Sequence, residues 1–175
     1  MLRMVQVAFM VKNLNDGQMA TLIKWRARCK RAQLAHSYTA ISYGRYHLLL
    51  GVVLIVLTTA SSVLIFASNV KPIWLSPVVG TSAALFAYLQ TFLRLSEKAD
   101  THRQVARRYG ALKKRIEYVV DFRAPMKDLS THIDAIRQKE DEIASDAPHA
   151  LSHRWSKAKK ETHTENEAAR LMTRL

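Results

Sequence analysis

Histidine, cysteine and hydroxyl side chains are the residues of this chain whose types and spacing could do chemistry. His149 and His153 are four residues apart, a spacing that would put two imidazoles on one helix face as the start of a zinc site. A zinc hydrolase would also need a glutamate beside the first of them and a third ligand, and neither is evident, so the pair reads as a solvated helix start. His102 falls on an apolar seam described below and reads as a buried hydrogen-bonding residue, with a pH switch as the sharper alternative. The single cysteine, Cys29, can form no intrachain disulfide and no thiolate cluster, and reads as a small helix residue in a reducing compartment. There is no glycine-rich phosphate loop, no nucleophile elbow and no clustered acid pair. The expectation is a protein that is not an enzyme, with no catalytic residue, no metal and no cofactor.

The hydroxyls lie elsewhere, inside two nearly charge-free stretches that must be placed first. The 175 residues average a mean hydropathy of −0.10, but 26 of the 27 Lys and Arg lie in the arms flanking these stretches. From Leu48 to Ala67 there is no charge, enough helix at about 1.5 Å per residue to cross ~30 Å of hydrocarbon. The second stretch ends near Arg94, and its start has two readings. Pro72 could occupy a first helical turn, or Ser76 could cap a helix beginning at Pro77; Ser76 is preferred because it leaves Trp74 at headgroup depth and lets Arg94 snorkel. The spans are then about 48–67 and 77–94, joined by a short turn.

Charge gives the orientation. Residues 1–47 hold eight Lys or Arg and one acid, the turn 68–76 holds one Lys, and 94–175 hold eighteen, so both termini are expected in the cytoplasm. The first apolar run begins too late for a signal peptide, and no cleavage is expected. In a soluble chain the net charge of +13 would suggest nucleic acid; beside two spans it suggests anionic phospholipid, with no nucleic-acid partner.

The fold class expected is all-α: a two-helix transmembrane hairpin whose helices extend into the cytoplasm, with further C-terminal helices. The division expected is an N-terminal segment 1–16, a hairpin with its extensions at 17–124, and a helical region at 125–175. Between Gly17 and Tyr46 a helix would place Leu22, Trp25, Cys29, Ala32, His36 and Tyr43 on one face, and Ile23, Ala27, Leu34, Tyr38 and Ile41 nearly opposite. After the second span, Leu95, Ala99, His102, Ala106 and Tyr109 recur at spacings of four and three, and the register continues through Lys113, Ile116 and Val120 as a heptad seam. One seam helix can cover one face of the first arm, so the second face, from Ile23 to Ile41, is expected to be the contact of a homo-oligomer. Pro125 should end this unit, a helix should follow from Met126 to Ile143, and the last helix should have little to bury except Trp155 and Leu171.

Within the spans, Ser76, Gly80, Ala84, Ala87 and Thr91 form a small-residue stripe suited to close packing of the hairpin, with a pore wall as the alternative. Gly51, Ile55, Thr58 and Ser62 form a stripe on the first span, and its hydroxyls make it the better candidate to line a pore, although such hydroxyls commonly bond their own helix. No ionisable group sits at mid-membrane, so a proton pump or voltage sensor has no working part, and the turn is too short for a re-entrant selectivity filter.

The order of these parts carries a resemblance. Trp25 and Arg28, Ala35-His36, Tyr43-x-x-Tyr46-His47, a short hairpin, and then Ser96-Glu97-Lys98-Ala99-Asp100-Thr101-His102, Ala106-Arg107-Arg108-Tyr109 and Leu112 to Ile116 together resemble the SLATT family over residues 20–122. SLATT domains are two-transmembrane effectors associated with nucleotide-signalling and SLOG-type sensor proteins in bacterial conflict systems. The resemblance implies an inner-membrane effector of antiviral defence, silent until a separate sensor protein or a nucleotide second messenger triggers it, which then perforates the membrane and arrests or kills the infected cell. A holin-like lytic protein and a non-conducting membrane scaffold are the competing readings.

Overall fold

The structure, a computed structural model, describes the backbone of residues 2–66, 73–122 and 126–172, and the side chains of 17–66, 73–120 and 130–163. Five helices follow one another: α1 (Leu2–Phe66), α2 (Leu75–Leu93), α3 (Leu95–Phe122), α4 (Met126–Asp146) and α5 (Ser152–Met172), with no strand among the described residues. Of the four prolines, Pro148 lies between α4 and α5, where a missing N–H and a clashing ring do no harm, while Pro72 and Pro125, the latter expected to end the hairpin unit, lie outside the described residues. Pro77 is the third residue of α2, inside the first turn, where no intrahelical N–H bond is required. No proline or closely spaced glycine pair interrupts α1, and it runs without a break across the expected boundary at residue 17.

Among the described residues two stretches are long and apolar enough to cross a membrane: the C-terminal part of α1, and α2 with the start of α3. None of the most apolar part of the first is buried, and little of the second. Leu48, Ile55, Ile65, Phe66, Ile73 and Phe92 are each more than three-fifths exposed. Apolar surface of this extent is not left to water in a soluble monomer.

The expected cap of α2 is corrected. The helix begins at Leu75 with Trp74 in the cap position and no side-chain cap bond, so Ser76 lies inside the first turn. Trp74 itself accepts the first turn's bond from Val78 N at 3.2 Å. At its other end α2 stops on Arg94, whose backbone is left-handed (φ 46°, ψ 42°), and α3 starts at the next residue.

The chain forms two compact units, residues 39–101 and residues 1–38 with 102–175. In the first, α1 and α2 run antiparallel: a β-carbon on Gly80 would stand 3.4 Å from Ser61 Oγ, and one on Gly51 would stand 3.9 Å from Gln90 Nε2. In the second, α1 contributes Leu22, Cys29 and Ala32 to a core with Val105, Tyr109, Leu112, Ile116 and Val119 of α3 and Ile136 and Ile143 of α4. Ile116, Ile136 and Ile143 are fully buried, and each such side chain stabilises the unit by roughly 1.5–3 kcal/mol. Leu129 and Leu171 lie outside the residues whose side chains are described.

Candidate functional site

Two groups of residues stand out, the hairpin seam and a set of buried polar side chains in the arms. In the hairpin, His47, Leu50, Leu54, Leu57, Ser61 and Leu64 of α1 are half-buried at alternating spacings of three and four. On α2, Ser76, Gly80, Ala83, Ala87 and Gln90 do the same, with Ala83 the most buried. A 3.5-residue repeat on both helices is the seam of a left-handed pair.

This seam only partly matches the expected stripes. Ser76, Gly80 and Ala87 lie on it, whereas Ala84 and Thr91 are exposed, and Thr91 spends its hydroxyl on Ala87 O at 3.0 Å. Steps of four advance about 40° past a full turn, so a stripe read by fours drifts off the contact unless steps of three bring it back. Gly51 is half-buried opposite Gln90, while Ile55, Thr58 and Ser62 are exposed. Thr58 donates to Leu54 O and Ile55 O, both at 3.0 Å, and Ser62 donates to Thr58 O at 2.9 Å. The hydroxyl stripe thus faces away from α2, with its donors satisfied by its own helix. Gln90 was not singled out by sequence reasoning. Its Oε1 is buried without a partner, as is His47 Nδ1. The signal was available as a lone amide near the end of an apolar run.

On α3, Leu95, Ala99, His102, Ala106, Tyr109 and Ile116 are all buried. Sequence reasoning missed a second buried stripe of Val105, Leu112 and Val119 at sevenfold spacing. His102 Nδ1 lies 2.9 Å from His36 Nδ1, and the Tyr109 ring stacks on His36 at 6.0 Å between centroids. Burial, and then the neighbouring His102, pushes His36 down to about 4, and burial pushes His102 down as well. Burial, with Glu140 nearby, pushes the Cys29 thiol up to about 12, and burial raises Tyr109 too. Arg26 donates to Glu117 at 2.7 Å and holds that carboxyl below its ordinary range.

Of the expected oligomer contact, Ile23 and Ile41 are about half exposed, and Ala27, Leu34 and Tyr38 are half-buried. Tyr38 is engaged inside the chain. Its hydroxyl donates to Glu161 Oε2 at 2.6 Å, and Lys157 Nζ of α5 sits 4.7 Å from its ring centroid. Arg31 donates to Thr162 Oγ1 at 3.2 Å. The expectation that α5 has little to bury gives way to a helix that buries Ala158 and Thr162 while Trp155 stays two-fifths exposed. His149 precedes α5 and both it and His153 are exposed, so the four-residue spacing does not place them on one helix. Among the described residues no three His, Cys, Asp or Glu side chains converge as metal ligands.

No family model, curated protein or solved structure matches this chain.

Proposed function

We propose that the chain is an inner-membrane effector of a bacterial antiviral defence system: a hairpin with both termini cytoplasmic that oligomerises and depolarises the membrane when a sensor protein or a nucleotide second messenger triggers it. The observation that carries this reading is the pair of apolar helices joined along one narrow seam, with the hydroxyl stripe Ile55, Thr58 and Ser62 turned outward. In a ring of copies an outward stripe becomes an inter-subunit or lumen-facing surface, and hydroxyls favour water there over lipid. The Lys and Arg asymmetry across the turn supports the orientation. The order of motifs from Trp25 to Ile116 supports membership of the SLATT family.

One observation favours a second reading, a non-conducting scaffold: Thr58 and Ser62 already satisfy their donors on backbone carbonyls. Membrane potential and growth in phage-challenged cells expressing the chain with its genomic neighbours separate the two. In the effector reading wild type depolarises the cells, while Thr58→Leu and Ser62→Leu assemble without doing so, because leucine inserts well but dries a lumen. Leakage unchanged by both substitutions would remove the lumen assignment. Triggered wild type that never depolarises the membrane would leave the scaffold.

A further inference from the structure

We propose that His36 and His102 form a proton-operated latch between α1 and α3, closed while the two rings share one hydrogen bond and released when both carry a charge. The geometry is specific. The two Nδ1 atoms are 2.9 Å apart, the ring centroids 5.1 Å, and the residues are 5% and 3% exposed. A contact that short needs one N–H and one lone pair, so the rings hold opposite tautomers: one protonated at Nδ1, the other at Nε2. A first proton enters at the unprotonated Nε2 of the donor ring and leaves the Nδ1 bond in place, but it puts an imidazolium in a buried seam. A second proton must enter at the acceptor's Nδ1, and two N–H groups then face each other at hydrogen-bond distance. The bond becomes a repulsion.

No residue one turn from either histidine along its own helix is acidic. One turn from His36 on α1 are Ala32, Gln33, Thr39 and Ala40, and one turn from His102 on α3 are Ala99, Val105 and Ala106. The titratable ring against the pair is Tyr109 of α3, kept neutral because burial raises its phenol. Cys29, two turns down α1, is a neutral thiol for the same reason. Of the described carboxylates on the other elements, Glu140 of α4 pairs with Arg28 at 3.3 Å and Glu161 of α5 accepts from Tyr38. Lys98, Asp100 and Arg103, on the turns of α3 around His102, are exposed.

The sign follows from the lowered proton affinities. The latched seam binds fewer protons than the opened one, so its stability is complete above the ordinary histidine range, near pH 6.5, and is lost as pH falls toward about 4 for His36. Acidification therefore unlocks α1 from α3. This concerns the seam and holds whether or not the hairpin conducts.

The test is native-state hydrogen exchange of the full chain in phosphatidylethanolamine–phosphatidylglycerol nanodiscs, corrected for intrinsic exchange, at residues 102–116. Between pH 7 and pH 5 the His36 contribution alone should raise seam opening on the order of twentyfold. The double variant His36→Asn with His102→Asn puts an amide near each Nδ1 position, keeps a hydrogen bond and removes the titration, so its opening should not change over that range. Equal opening of wild type at both pH values, or the same increase in the double variant, would overturn the latch. Should the double variant fail to fold, ¹⁵N-histidine spectra of wild type decide instead. Two neutral rings of opposite tautomer at pH 6 are expected, and imidazoles that both titrate in the ordinary range refute the proposal.

Discussion

Tyr38 of α1 and Glu161 of α5 are 123 residues apart in the chain and 2.6 Å apart in space. That bond, with Lys157 over the same ring and Arg31 on Thr162, fastens a polar helix to the face of α1 that sequence reasoning assigned to contact with another copy. Along this face Ile23 and Ile41 stay about half exposed.

Tyr38→Phe removes the donor while keeping the ring. It should loosen α5 by about 1 kcal/mol, the usual worth of a side-chain bond at a partly buried site. Amide exchange in residues 152–163 should quicken while that of 105–119 stays unchanged. Acceleration spread over both segments would mean that α5 does not open as a separate unit.

The hairpin seam can be tested at adjacent residues. Ala83→Leu forces a large side chain into the contact and should cost about 1–3 kcal/mol, whereas Ala84→Leu points outward and should be tolerated. In a Cys29→Ala background, Ser61→Cys with Gly80→Cys should oxidise to an intrachain disulfide, since a β-carbon on Gly80 stands 3.4 Å from Ser61 Oγ. Ala83→Leu should suppress that cross-link and Ala84→Leu should not; the opposite ranking would restore the stripe read by fours.

Why that stripe was misread, when the seam of α3 was legible, is a matter of solvent. In α3 charged residues mark the outside, so Leu95, Ala99, His102, Ala106, Tyr109 and Ile116 announce a buried face by contrast with their neighbours. In α2 the outside is apolar too, and only residue size distinguishes a contact; Ala83 and Ala84 are then equivalent on paper. The docking of α5 was hidden for the opposite reason. Among the described residues of α5 the buried ones are Ala158 and Thr162, which carry almost no apolar signature, and its attachment through Glu161 and Lys157 looks like ordinary solvated charge. The partner of His36 was out of reach because sequence periodicity places a residue on a face but does not pair faces across 66 residues.

Cys29 offers a probe of the core. Its side chain is fully buried and its thiol is pushed up to about 12, so almost no thiolate exists at pH 8 and access is blocked as well. Iodoacetamide should leave it unmodified in the folded chain and modify it at the rate of unfolding once denaturant is added. Rapid modification under native conditions would show that the core around Leu22 and Ile136 is not closed.

The last prediction concerns the junction of α2 and α3, where Arg94 holds a left-handed backbone that costs a side-chain-bearing residue on the order of 1–2 kcal/mol. Its ion pair with Glu97, at 2.7 Å, is exposed and contributes little. Arg94→Gly and Arg94→Ala both delete that pair and the guanidinium, so their difference isolates the backbone. In an uninterrupted helix glycine would be less stable than alanine by about 1 kcal/mol, because it loses more freedom on ordering. At a left-handed residue the order reverses, since glycine adopts that conformation without a clashing β-carbon. Unfolding of the two variants in matched lipid should therefore rank glycine above alanine. Alanine ranking above glycine would mean that α2 continues into α3 as one helix and that no break separates them at Arg94.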